Sequence, residues 1–349
     1  MNILQYSTNE QKTLIMNGDR TMKKILCVFL SILMCLTLLC SCSKAEEKTV
    51  VIYSCANTDR IAELTAELQQ KFPDYTFIVE YQSTSKLGSK LLAEGENTDC
   101  DIIHDLSYLT LDALDEKSLL AELTDYDRSV YVDGIADKST YLPEVRTGGA
   151  VIINTKVLAE KGLAKPTSYQ DLLKPEYKGL ISMPDPNSSG TGYMFFKSLV
   201  NAWGEKEAVE YFKKLSENVL QFTESGNGPV NALIQEEVAI GLGMITNAVK
   251  AINDDNSPLE ILVFEEGAPY SMYGQAIVKG KETNPYVKEV FDYLVNECTV
   301  KSCEKWAPEK IYKDVDFTAP NFPTNIKYAD MRNDTTAEKE RLLKLWPVV

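Results

Sequence analysis

The chain predicts an α/β fold in two lobes, and three observations lead there. From residue 49 onward, strand-like and helix-like segments alternate, a pattern that builds a largely parallel sheet covered on both faces. Setting aside residues 1–41 of the 349 leaves 308, too many for one ordinary core. Thr147-Gly148-Gly149 interrupts an otherwise apolar extended run, Val145 to Asn154. Glycine weakens a strand interior and permits large backbone changes, so this run suits either a crossing between lobes or a bulge.

The elements follow in order. Thr49 to Ser54 is an apolar strand, and Asn57 or Thr58 caps a helix whose Ile61, Leu64, Leu68 and Phe72 keep helical spacing. Tyr75 to Tyr81 is the second strand, Ser85 to Glu94 a helix, Asp101 to Asp105 the third strand and Ser107 to Glu116 a helix. A helix carrying Met194, Phe195, Leu199 and Trp203 follows a proline-rich turn, and Pro229 suits the first turn of a helix over Val230 to Ile234. Strand Leu259 to Phe264 ends near Glu266-Gly267, and Ser271 to Val278 begins beyond it, a second crossing. Ala337 to Trp346 is a closing helix. Two crossings insert one lobe into the other: 49–146 with 267–349 form lobe one and 147–266 lobe two. Thr147, Gly148, Gly149 and Gly267 are the expected hinge residues.

The leader fixes the compartment. Lys23 and Lys24 precede an apolar run, Ile25 to Leu39, that stops at Ser41-Cys42. A basic end and a short apolar core are exported, whereas a span needs roughly 20 apolar residues. Leu39-Cys40-Ser41-Cys42 resembles the lipobox of bacterial lipoproteins, which implies a diacylglycerol on Cys42. Residues 1–21 read as an upstream extension with Met22 the start, 1–41 as extension plus signal, and 42–48 as a lipid-anchored tether. The expected location is the extracytoplasmic side of the cell membrane.

Losing residues 1–41 removes Lys12, Arg20, Lys23, Lys24, Glu10 and Asp19, which moves the formal net charge from −15 to −17. So acidic an exterior excludes nucleic acid or anionic lipid as the partner. With 44% hydrophobic and 25% charged residues, the composition is globular. Cys55 and Cys100, at opposite ends of neighbouring parallel strands, would lie roughly 15 Å apart, beyond disulfide reach. Cys298 and Cys303 are close enough in sequence to bridge locally, and no pair has C-x-x-C spacing.

The densest polar stretch is Pro184 to Gly192, with Ser188, Ser189, Gly190, Thr191 and Gly192 at a helix start. Such a start exposes unpaired N–H groups beside the positive end of the helix dipole and suits an oxyanion, although a capped turn looks the same. The arrangement recurs at Ser54 to Thr58 with Asn57, at Ser83-Thr84-Ser85 and at Ser225-Gly226-Asn227. Ligands of open α/β sheets bind at the carboxyl ends of strands, where these segments converge. None of the turns carries lysine and Arg60 is the nearby arginine, so hydroxyls and dipoles supply the neutralisation. Asp59, Asp105 and Glu266 suit sugar hydroxyls or an ammonium group, although acids at such places more often serve a surface or helix-turn role. Tyr270 and Tyr273 suit core packing or a wall against a sugar ring.

Together, Ser168 to Gly179, Met183-Pro-Asp-Pro, Ser189-Gly-Thr-Gly-Tyr193, Glu265 to Tyr270 and Arg341 to Trp346 resemble the family 1 extracellular solute-binding proteins of ABC transporters. The likeness is to the branch with ferric-ion, hexose-phosphate and 2-aminoethylphosphonate receptors. It implies a type 2 periplasmic-binding-protein fold, two α/β lobes joined by two hinge crossings with the ligand cleft between them. It implies contacts from Ser189 to Gly192, Ser225 to Asn227, the first-strand loop and Ser83 to Ser85. Tyr169 stands where the family usually has tryptophan. The ferric branch uses adjacent tyrosines, which this chain lacks, and its single histidine, His104, falls in a strand.

The expected function is therefore a monomeric lipoprotein that captures a small oxyanionic solute, a phosphorylated sugar or a phosphonate, and delivers it to ABC permease subunits without a cofactor, a metal or catalysis. A ferric-ion or ferric-chelate receptor is the alternative. A hydrolase fits less well, because no Gly-x-Ser-x-Gly elbow appears and no histidine stands outside a strand. A ligand-free adhesion or sensory protein would show no stabilisation by any small solute.

Overall fold

β-branched and aromatic residues make the apolar run β1 (Thr49–Ser54), and Asn57 accepts from the Arg60 amide to start α1 (Thr58–Lys71). The computed structural model describes residues 48–347. The leader, nearly all of the tether and the lipid site Cys42 lie outside the described residues. β2 (Thr76–Tyr81), α2 (Thr84–Glu94), β3 (Ile102–Ser107) and α3 (Tyr108–Glu116) complete the first series. β4 (Leu142–Asn154), α4 (Thr155–Glu160), β5 (Ile181–Pro184), α5 (Gly190–Trp203), α6 (Glu205–Leu215) and β6 (Val219–Thr223) follow. Next come α7 (Gly228–Ile234), β7 (Ile240–Met244), α8 (Ile245–Asp255), β8 (Leu259–Leu262) and β9 (Tyr270–Ile277). The chain closes with α9 (Pro285–Tyr293), α10 (Thr299–Trp306) and α11 (Thr336–Leu343).

The sheet order is β2-β1-β3-β9-β4-β7-β5-β6, with β8 also on β4. β1 is parallel to β2 and β3, and β5 is parallel to β6 and β7, but every pair that includes β4 or β9 is antiparallel. The expectation of a largely parallel sheet is corrected to a mixed one. A chain that leaves along β4 must return along β9 in the opposite sense, so this pair is antiparallel. β4 changes partners at its glycines. Leu142 to Gly148 lie against β9, whereas Gly149 to Ile153 lie against β7.

One core gathers Val50, Ile52, Leu68, Ile102, Val290 and Phe291 beneath the first strands. Another gathers Tyr169, Met183, Phe195, Phe196, Phe212 and Leu215 beneath β5 to β7. The C-terminal residues Ala329, Met331, Leu342 and Trp346 pack into this second core, although the sequence placed all of 267–349 with the first. The reason is aromatic: Trp346 lies 5.2 Å from the Phe196 ring and 5.1 Å from Phe212.

Cys55, Cys100, Cys298 and Cys303 are all free. Along a helix a spacing of five turns two side chains about 140° apart, and the Cys303 thiol donates instead to the Glu144 carbonyl at 3.2 Å. Among the described residues, no helix is long and apolar enough to cross a membrane.

Candidate functional site

Two clusters of strand-end residues stand on either side of β4. In the first, Arg60 on α1 reaches back over β1 and β3. Its guanidinium donates to Asp105 at 3.0 Å, to Glu144 at 3.1 Å and to the Ser302 hydroxyl at 3.2 Å. Glu144 also meets His104 Nε2 at 3.0 Å and accepts from the Asp105 amide at 2.7 Å. His104 Nδ1 in turn lies 2.9 Å from Ser54 Oγ. Asp105 has φ +55°, a left-handed conformation that aspartate tolerates better than most residues.

The electrostatics follow from burial and pairing. Burial pushes Asp105 up to about 6 with Glu144 nearby, although Arg60 and His104 pull the other way. Burial also acts upward on Glu144, but His104, Arg60 and the Asp105 amide outweigh it and hold that carboxylate below its ordinary range. Burial, the Asp105 charge and Cys55 push Tyr273 up to about 12. Arg60 is thus shared between two carboxylates rather than free for a ligand.

In the second cluster the loops after β5, β6 and β7 touch. Thr191 Oγ1 lies 3.4 Å from Met244 Sδ. A Cβ on Gly226 would fall 2.2 Å from Thr191 Oγ1, so the close approach of these loops requires glycine. Asn247 donates to the Asn227 side chain.

A cleft of about 1000 Å³ joins the two sides, at the upper end of small-molecule sites. Asn57, Asp59, Arg60 and Thr147 line it from one side, and Asn227, Thr246 and Asn247 from the other. Asn57 and Thr246 stand at the starts of α1 and α8, so two helix starts border the cleft, and α8 runs along it as far as Asp254 and Asp255. Lys250 and Lys305 share the wall with Asp254, Asp255 and Glu304, and Trp306 supplies an aromatic surface.

The remaining expected residues take other positions. Ser54 is fully buried with its hydroxyl committed to His104 and the Ala56 amide. Thr58 and Ser83 are exposed, Ser83 stands at the N-cap of α2 without a capping side-chain hydrogen bond, Thr84 is half-buried beside the Cys55 thiol, and Ser85 falls in the first turn of that helix. Ser188 donates to the Asp185 carbonyl, and Ser189, which is buried, caps α5 by accepting from the Gly192 amide at 3.4 Å. Gly190 faces open space, while Gly192 packs on the Pro184 carbonyl. Ser225 is exposed beside Asn227. Glu266 sits near Tyr169 and Tyr211 rather than on the cleft. Gly267, at φ +93°, makes the turn before β9. Tyr270 lies against the Arg146 guanidinium and meets the Tyr328 ring edge to face.

Sequence reasoning passed over Glu144, Thr246, Asn247 and Trp306. Thr246-Asn247 carried the same signal as the other loops, a strand giving way to a helix, whereas Glu144 offered only a charge inside an apolar strand. Among the described residues, no group of three or more His, Cys, Asp or Glu is placed to hold a metal ion.

Known proteins share this architecture. Residues 111–320, more than half of the chain, match the model of the bacterial extracellular solute-binding protein family. A protein of uncharacterised function from Haemophilus influenzae is 29% identical over 265 residues, 72% of this chain and 75% of its own. The fructose-6-phosphate-bound periplasmic binding protein AfuA of Actinobacillus pleuropneumoniae superposes with a TM-score of 0.71 at 24% identity, over 85% of this chain and 97% of AfuA. Iron-bound HitA of Pseudomonas aeruginosa gives 0.72 at 17% identity, over 85% and 98%. These likenesses fix the type 2 periplasmic-binding-protein fold, and the family works outside the cytoplasm. The chain belongs to the bacterial extracellular solute-binding proteins, the capture components of ABC importers.

Proposed function

We propose that this chain captures a small oxyanionic solute, a phosphate ester or a phosphonate, and presents it to the permease of an ABC importer from a lipid anchor at Cys42. The observation that carries this reading is the shared cleft, in which the starts of α1 and α8 border one space with Asn57, Thr246, Asn227 and Asn247 at its walls. Uncharged donors and helix dipoles suit a desolvated oxyanion, and Arg60 is already matched by Asp105 and Glu144. The fructose 6-phosphate held by AfuA supports the same chemistry.

In this reading the halves on either side of Gly148-Gly149 are lobes that close on the solute, with β4 and the 263–269 return as the crossings. Closure requires tighter binding to the closed form. No bond is made or broken, so the chain is not an enzyme. The test is calorimetry and thermal unfolding of the mature domain with fructose 6-phosphate, 2-aminoethylphosphonate, inorganic phosphate and ferric citrate. Stabilisation by a phosphate or phosphonate supports the reading, ferric citrate acting alone replaces it with the iron receptor, and stabilisation by none rejects both.

A further inference from the structure

The crossing strand carries a feature that solute binding leaves unexplained. In an antiparallel strand, successive amides point to opposite neighbours. The Gly149 amide donates to the Pro269 carbonyl at 2.7 Å, toward β9. The Gly148 amide therefore points the other way, where the pairing with β7 begins only at Gly149 and Met244. Its acceptor is not a strand but a carboxylate, Oε1 of Glu309.

Glu309 is 1% exposed and comes from the chain beyond α10. Its second oxygen accepts from the Tyr328 hydroxyl at 2.6 Å. Tyr328 and Tyr270 both face the Arg146 guanidinium, at 4.4 and 4.9 Å, and their rings meet edge to face at 5.3 Å. Tyr328 is also tied to the return crossing, because the Ala268 amide donates to the Lys327 carbonyl and the Ala329 amide to the Ala268 carbonyl. One carboxylate thus gathers three passes of chain: β4, the turn into β9, and the C-terminal segment. A Cβ on Gly148 would stand 2.9 Å from Glu309 Oε2 and 3.1 Å from Ile245 Cδ1, so glycine is required there by the carboxylate's approach.

The location gives the feature its meaning. Thr147, one residue before Gly148, lines the cleft, and so do Trp306, Ala307 and Pro308, which run directly into Glu309. We propose that Glu309 is the positioning residue of the crossing: by standing in for the missing strand partner of Gly148, it locks two walls of the cleft together and sets the angle at which β4 passes between the halves. Its consequence for affinity rests on the solute-capture reading, but the pin itself does not.

A proton on Glu309 would take the charge off the pin but leave a carboxyl oxygen to accept from the Gly148 amide. Burial pushes this group up to about 7, while the Tyr328 hydroxyl, the Gly148 amide and Arg146 pull it down. The titratable and charged groups facing it are Arg146 from β4, Tyr328 from the C-terminal segment and Cys303 from α10.

The experiment is NMR on the isotopically labelled mature domain without any solute. It follows the Gly148 amide, the Thr147 amide and the Trp306 indole from about pH 5.5 to 8.5. In the wild type the Gly148 amide should be protected from exchange and should shift with a single titration that the Thr147 and Trp306 signals share. Glu309→Gln should abolish the titration and keep protection within about twofold, and Glu309→Ala should lower protection by about tenfold or more. Tyr328→Phe, which keeps the carboxylate, should leave the Gly148 amide protected and shift the titration to higher pH, and it keeps the test open should Glu309→Ala not fold. A Gly148 amide that is unprotected from exchange in the wild type, or equally protected in a folded Glu309→Ala variant, overturns the pin. A titrating Gly148 in a protein that no phosphate or phosphonate stabilises upholds the pin and removes only the solute reading.

Discussion

Arg60 shows how one side chain organises the strand ends. It is buried between Asp105 and Glu144, and a charge network of this kind holds only while every member is present. Arg60→Ala should lower unfolding free energy by about 3–5 kcal/mol, because two carboxylates lose their counter-charge. Chemical denaturation measures this, and a loss under about 1 kcal/mol would show that the network is not held by the guanidinium. Ser189 differs, since its hydroxyl caps α5, so Ser189→Ala should cost about 1 kcal/mol of stability and little affinity. Thr246→Ala should leave stability near the wild type and weaken solute binding by roughly 1–3 kcal/mol, the cost of an unpaired buried partner.

The pH dependence is also decided residue by residue. Asp105 rises from 3.8 to about 6 and Glu309 from 4.5 to about 7. The folded chain holds both protons more tightly than the unfolded chain, so the stability tied to each is complete below its ordinary value and is lost as pH rises through its raised one. Glu144, held below its ordinary range, has the opposite sign and loses its contribution as pH falls. Denaturation midpoints should therefore fall between about pH 4.5 and 7, and Glu309→Gln should flatten that fall. An unchanged slope in the variant would contradict it.

At the scale of elements, packing decides where the closing helix goes. Trp346 is 8% exposed and sits among Phe196, Phe212 and Phe222. Trp346→Ala should cost about 3–5 kcal/mol, read by denaturation, with the loss felt in the core under β5 to β7. A loss near zero would mean that α11 is only loosely attached. This placement was not legible in the sequence, where Ala337 to Trp346 announced a helix but not its neighbour. Local signals did better: β1 falls on the expected Thr49 to Ser54, and Asn57 caps α1. Strand direction failed because periodicity reports burial and says nothing about the sense in which a crossing strand runs. Hydroxyls, amides and glycines after β1, β5 and β6 marked helix starts, at Asn57, Ser189 and Gly228. Glu144 and Glu309 were not, since a buried carboxylate acquires its role only from partners far away in sequence.

For the molecule as a whole, β4 is the member that both halves share, and its two glycines mark where the sheet changes partners. Under the proposed function, rotation about that strand would open or enclose the cleft, trading access for retention. Enclosure also strengthens each hydrogen bond to the solute by removing water. The central claim is that helix starts from both halves close on one small oxyanion. Titration calorimetry of the mature domain with fructose 6-phosphate and 2-aminoethylphosphonate, repeated with the Thr246→Ala, Asn247→Ala double variant, tests it most directly. The account predicts saturable one-to-one binding of at least one of them, weakened at least about tenfold in the variant. Equal affinity in wild type and variant, or heat only from a ferric chelate, would contradict it.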